Sequence, residues 1–158
     1  MRKRSLLRPS WDEYFMSIAQ IVKTRSNCLR DQVGVVIIKN KRIVATGYNG
    51  TPVGIKNCFQ GGCKRCADRD KNILKPGESK DTCICVHAEQ NAIVQSAYHG
   101  ISTKGGTLYT TMSMCVQCAR LIINGGIEKV ISAKEYTDTH GLKLLKRAGV
   151  EVVTLYKV

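Results

Sequence analysis

Between Gly50 and Val86 the chain loses every apolar rhythm: glycines, prolines at Pro52 and Pro76 and many charges surround scattered hydrophobic residues, with five cysteines among them. A loop of this length is unusual inside a compact domain unless something within it replaces a hydrophobic core. The cysteines fall in close pairs, Cys63 with Cys66 and Cys83 with Cys85, and a third pair, Cys115 with Cys118, follows downstream. Eight cysteines in 158 residues are too sparse for a disulfide-held miniprotein, so pairs at this spacing read as metal ligands in a reducing compartment.

The flanks are patterned. Ser10 with Glu13 three residues on forms a capping box, and Phe15, Ile18, Ala19 and Val22 recur at helical spacing, which predicts a helix from Trp11 to Arg25. Val33 to Ile38 is a β-branched run, Asn40 and Lys41 make a turn, and Arg42 to Gly47 resumes strand character, so the pair reads as a hairpin. Beyond the cysteine-rich stretch, helices are expected over His87 to Tyr98, Cys115 to Ile123 and Gly141 to Ala148. Strands are expected over Thr107 to Thr111, Ile127 to Ala133 and Val150 to Tyr156. Strands joined through helices run parallel, and the hairpin adds an antiparallel pair. The expected fold is therefore α/β, a three-layer α/β/α arrangement around a mixed five-stranded sheet, in one domain over residues 1–158 with 50–86 as a cysteine-rich insertion.

A composition of 43% hydrophobic and 23% charged residues suits one core. The formal charge of +13 favours an anionic partner such as a nucleotide, a nucleic acid or an acidic membrane. Residues 1–8 lack the apolar core of a secretory signal, and no stretch is long and apolar enough to span a membrane, so a cytoplasmic protein is expected.

The residues that carry chemistry are His87, Glu89, Cys115 and Cys118. Zinc takes nitrogen and thiolate ligands in a tetrahedron, and three protein ligands leave the fourth position open to water. His87, Cys115 and Cys118 supply three. Each ligand group opens a helix, where unpaired amides and the positive dipole end favour thiolate over thiol. Glu89 lies two residues beyond His87 on a different bearing, suited to moving protons beside the metal without ligating it.

His87, Ala88 and Glu89 followed by Cys115, Val116, Gln117 and Cys118 match the signature of zinc-dependent nucleobase deaminases. The flanks narrow the likeness: Arg25 to Cys28, Val33 with Gly34, Gly47 to Pro52, and Gln90 to Ile93 resemble the deoxycytidylate (dCMP) deaminases of the cytidine deaminase superfamily, in the branch with a cysteine-rich insertion. The resemblance covers about Trp11 to Val153. One departure is Met114, where the family usually has a proline that pre-sets the helix start.

The resemblance implies a cytidine deaminase-like fold and hydrolytic deamination of dCMP to dUMP and ammonia, supplying a precursor of dTMP. Water would attack C4 of the ring, with Glu89 carrying protons to N3 and then to the leaving amine. It also places Asn49 at the deoxyribose, with Ala88 of the motif and an aromatic at the position of Tyr136 against the substrate. Arg25 is the candidate for the 5′-phosphate. The family's habits imply a homohexamer with dCTP and dTTP as effectors near the Gly47 to Gly54 loop, and Mg²⁺ accompanying such a nucleotide.

For the remaining cysteines, the resemblance puts a structural zinc at Cys28, Cys58 and Cys85. A fourth ligand must close that tetrahedron. Cys66, Cys63 and Cys83 compete for the place, in that order, and the two left over could hold another metal, pair as a disulfide or stay free. Two other functions use the same features. A deaminase of polynucleotide cytosine or tRNA adenosine would share the motif and the charge, but aromatics are only 6% of the chain, few for a stacking groove. A zinc-stabilised nucleic-acid-binding module without catalysis would leave Glu89 idle.

Overall fold

The computed structural model describes residues 8–135 and 139–155. Helix α1 (Trp11–Val22) precedes the hairpin strands β1 (Gly34–Lys39) and β2 (Arg42–Tyr48), and a short helix α2 (Lys64–Asp70) lies within the cysteine-rich stretch. Then come α3 (Ala88–Tyr98), β3 (Thr107–Thr110), α4 (Val116–Asn124), β4 (Lys129–Ser132), α5 (Thr139–Arg147) and β5 (Glu151–Thr154). The five strands form one mixed sheet in the order β2-β1-β3-β4-β5. β1 runs antiparallel to both β2 and β3, while β3, β4 and β5 are mutually parallel.

The continuous apolar run in β1 is explained by burial on both sides of the sheet. Val35 and Ile37 join Ala92, Leu108, Cys118, Ile122 and Leu145 on the face covered by α3, α4 and α5. Val36 and Ile38 join Phe15, Met16, Ala19, Tyr109 and Ile131 under α1. Close approach of the helices is permitted by glycines: a Cβ at Gly34 would stand 2.2 Å from the Ala19 carbonyl, and one at Gly47 would stand 2.2 Å from the Ala88 carbonyl. At the hairpin turn Asn40 and Lys41 both take positive φ, 50° and 58°, the pairing that matches strand twist in a two-residue connection.

The capping box is present: the Glu13 amide donates to Ser10 Oγ at 3.2 Å, and the Ser10 amide donates to Glu13 Oε2 at 2.7 Å. Ser10→Ala is therefore expected to cost about 1 kcal/mol of stability, read as a lower denaturant midpoint at unchanged slope. α1 stops at Val22, three residues short of the expected end, because the chain tightens into a 3₁₀ turn over Lys23–Arg25 before Ser26 turns extended. The stretch expected as loop contains α2, which sequence patterning does not reveal: in Lys64–Asp70 only Cys66 is buried, so the helix has no apolar stripe.

The long insertion is closed at its base. Gly50 and Val86 exchange backbone hydrogen bonds as an isolated antiparallel bridge, with N···O distances of 3.2 and 2.8 Å. Asn27 ties the insertion to the end of α1. Its Oδ1 accepts from the Thr51 and Cys58 amides at 3.1 and 3.4 Å, and its Nδ2 donates to Asn57 Oδ1 at 2.8 Å. The bridge brings the end of β2 beside the start of α3, which is how Asn49 comes to share a cavity with His87.

Candidate active site

β2 and β3 end at the same edge of the sheet, where β1 begins and where α3 and α4 start. His87 and Cys115 are the N-cap residues of α3 and α4, both with extended backbone, so each sits just outside a helix whose first amides are unpaired. The His87 amide donates to Gln90 Oε1 at 2.9 Å, which fixes the ligand end of α3.

His87 Nδ1 lies 3.3 Å from Cys118 Sγ and 3.6 Å from Cys115 Sγ, and the two sulfurs are 3.7 Å apart. Tetrahedral zinc with Zn–S of about 2.3 Å and Zn–N of about 2.0–2.1 Å would hold its sulfurs about 3.8 Å apart and sulfur and nitrogen about 3.6 Å apart. The donor triangle thus fits zinc in chemistry and in size. Among the described residues the group closes at these three ligands.

Electrostatics agree with ligation. Cys115 is pulled down to about 3 by its hydrogen bond with Cys118 and by the adjacent His87, while Cys118 is pushed up by that same contact and by burial. His87 is raised because Cys115 lies against it. These shifts come from three groups held in contact, which would bind a divalent cation in their deprotonated forms.

Glu89 is 4% exposed. Its Oε1 accepts from Thr110 Oγ1 at 3.1 Å, and its Oε2 is 3.5 Å from Cys118 Sγ. Burial pushes its carboxyl above the ordinary carboxylate range, the direction that suits a group alternating between acid and base near neutral pH. Thr110, the last residue of β3, was missed by sequence reasoning; no spacing or composition marks a threonine that aims a carboxylate from a neighbouring strand.

His87, Glu89 and Cys115 line a cavity of about 280 Å³ that also takes in Asn49 and Ala88. Asn49 is nearly buried: its Oδ1 accepts from Ser26 Oγ at 2.7 Å and the Val33 amide at 2.8 Å, and its Nδ2 donates to the Asp31 carbonyl at 2.6 Å. Arg25 is exposed and is not among the lining residues; the cations there are Arg30 and Arg65. The reason is local. Ser26, not Arg25, turns inward to Asn49, so the cation beside it in sequence points away. Tyr136 lies outside the described residues. Met114 is 2% exposed in the core under α4, so the residue standing where the family has proline packs.

Cys28, Cys58, Cys66 and Cys85 bring their sulfurs within 4.8 Å of one another, as do Cys63, Cys66, Cys83 and Cys85. Of the competitors for the fourth place beside Cys28, Cys58 and Cys85, the geometry brings Cys66 there. No described helix is long and apolar enough to cross a membrane.

Comparison with known proteins places this site in a family. Residues 9–134 match the model of the cytidine and deoxycytidylate deaminase zinc-binding region. The chain is 43% identical over 148 residues to the deoxycytidylate deaminase of Saccharomyces cerevisiae, covering 93% of this chain and 45% of that protein, so it spans about half the length of that relative. It is 41% identical over 133 residues to the deoxycytidylate deaminase of Mycobacterium phage D29, covering 81% of this chain and 98% of the phage protein. The dCMP deaminase of cyanophage S-TIM5, solved in complex with dCMP and dUMP, superposes with a TM-score of 0.75 at 35% identity, covering 94% of this chain and 99% of that one. With the family match running from ahead of α1 through β4, and so over both ligand-bearing helix starts, the chain belongs to the cytidine and deoxycytidylate deaminases.

Proposed function

We propose that the chain catalyses hydrolytic deamination of dCMP to dUMP and ammonia. The observation that carries this reading is a three-donor triangle with a buried carboxyl beside it, with His87, Cys115 and Glu89 lining one cavity. A fully protein-ligated structural site would have no use for Glu89. The likeness to dCMP deaminases supports the choice of substrate.

His87, Cys115 and Cys118 would hold the zinc, which when bound supplies Lewis acidity that lets water lose a proton near neutral pH. Glu89 takes that proton and delivers it to N3 of the cytosine ring as oxygen adds to C4. It then carries the second proton to the amino group, which leaves as ammonia. Thr110 holds the carboxyl in line through its hydroxyl. Asn49 spends one amide hydrogen on Asp31, leaving the other for a deoxyribose hydroxyl. Ala88 forms part of the wall, and Arg30 and Arg65 take the place of Arg25 as cations for the 5′-phosphate.

The reading extends to a cytoplasmic enzyme of pyrimidine deoxynucleotide synthesis in which this chain forms one deaminase domain. It also covers hexameric assembly and a dCTP or dTTP effector with Mg²⁺. The groove of about 590 Å³ between Tyr48, Pro52 and Val53 and the Val94 and Tyr98 side of α3 is the place for that effector.

Ammonia release measured on dCMP, dCTP, cytidine and single-stranded DNA tests the proposal. Zinc-loaded protein is expected to turn over dCMP in clear preference to the others. No turnover of dCMP, or faster reaction on the polynucleotide, would replace this reading with the nucleic-acid alternative.

A further inference from the structure

The six cysteines outside the catalytic triangle form two sets of four that overlap. Cys28, Cys58, Cys66 and Cys85 make one, Cys63, Cys66, Cys83 and Cys85 the other, and Cys66 and Cys85 belong to both. We infer that the insertion is built around a binuclear zinc–thiolate cluster, in which Cys66 and Cys85 bridge two zinc ions, Cys28 and Cys58 complete one tetrahedron, and Cys63 and Cys83 complete the other. This goes beyond the deaminase reading and does not depend on it.

Distances carry the argument. Cys66 Sγ lies 3.8 Å from Cys83 Sγ and 3.9 Å from Cys85 Sγ, and Cys63 Sγ lies 3.9 Å from Cys83 Sγ. These are edges of a zinc tetrahedron, about 3.8 Å for Zn–S of about 2.3 Å. They are nearly twice the length of a disulfide, about 2.05 Å, so Cys63 and Cys83 are not paired covalently. Two tetrahedra sharing an edge set the metals on the order of 3 Å apart.

Ligand economy points the same way. Two separate tetrathiolate sites need eight sulfurs, and the insertion with Cys28 offers six. One zinc in the first set would strand Cys63, 1% exposed, and one in the second would strand Cys58, fully buried, each as a thiol packed against other sulfurs. Two divalent ions against six thiolates also leave the same net charge as one ion against four, so the second zinc brings in two more sulfurs without adding charge. The backbone meets that charge with donors: the Leu29 amide donates to Cys58 Sγ at 3.5 Å and the Arg30 amide to Cys28 Sγ at 3.4 Å. No apolar side chain from the insertion enters this cluster; among its partly buried neighbours only Leu29 is not a cysteine. The metals would do the work of a core, and Cys66, Cys83 and Cys85 at the cavity wall would join that core to the active site.

Metal analysis of protein purified under reductant without chelator should find three zinc ions per chain, one in the triangle and two in the cluster. After exchange with cadmium-113, magnetic resonance should show two all-sulfur cadmium signals split by their mutual coupling through the bridging sulfurs. The triangle's cadmium, with a nitrogen ligand, resonates apart and reports separately, so loss of deaminase activity alone leaves this result readable. Joint replacement Cys63→Ser with Cys83→Ser should lower zinc by one ion per chain and leave one uncoupled all-sulfur signal. Two zinc ions in the unsubstituted protein, with Cys63 and Cys83 titrating as free thiols or as a disulfide, would overturn the inference. So would a single uncoupled all-sulfur signal, which decides the matter in the unsubstituted protein even if the double variant fails to fold.

Discussion

Glu89→Gln should keep its zinc and lose its turnover. The amide is nearly the size of the carboxyl and can still accept from the Thr110 hydroxyl through its oxygen, so the wall of the cavity is preserved. What disappears is a group able to take a proton and return it. Transfers of that kind are worth about 10²- to 10⁴-fold in rate, and the proposed reaction asks Glu89 for two of them, so a drop of about 10³-fold or more in kcat on dCMP is expected. KM should move little, because the carboxyl acts on the reacting atoms. Zinc content and kcat measured on one preparation check both halves. A variant within tenfold of the parent rate would show that the proton travels by another route, and a variant that lost its metal would show that Glu89 supports ligation.

The second large effect is expected at a residue with no side chain. At Gly47 an added Cβ would stand 2.2 Å from the Ala88 carbonyl and 2.5 Å from the Ala92 amide, and both are backbone of α3, so no side chain can swing aside. Gly47→Ala must push α3 from the sheet, at a cost of about 1–3 kcal/mol. Because His87 caps α3 and Glu89 lies in its first turn, the displacement reaches the donor triangle and the buried carboxyl together. Losses of about 10²-fold in kcat follow from misplacements of about 1 Å. The expected result is a lower melting temperature together with reduced activity and reduced zinc at temperatures where the variant is still folded. A variant with parental melting and parental kcat would mean that the sheet bends to take the methyl group.

How much could be seen in advance follows from where the signals were local. The capping box at Ser10 and Glu13, the doubly buried run in β1 and the helix starts at His87 and Cys115 are written in adjacent residues, and a mixed sheet of five strands follows from the hairpin and the crossovers. The ligand triangle was legible because histidine and paired cysteines at helix starts have few other uses. The helix at Lys64–Asp70 was not, since it lacks an apolar stripe and its one buried side chain is a cysteine. Arg65 at the cavity wall was not, because it lies in the insertion, whose base is closed by the Gly50–Val86 bridge, a long-range closure that no spacing announces, and Arg30 was not, because it lies in the irregular stretch ahead of β1. Arg25 was a plausible cation by its place in a motif, but the turn that faces Ser26 inward faces Arg25 outward.

The direction of β1 separates the molecule into two ends of unequal tolerance. Because it runs against β2 and β3, its start and their finishes meet the ligand-bearing starts of α3 and α4 at one rim. The turns at Asn40–Lys41, Gly105, Gly126 and Gly149 fall at the opposite rim. Length can be added there, or a neighbouring module attached, while the reacting geometry stays as it is; at the metal rim, a single inserted residue would be paid for in chemistry.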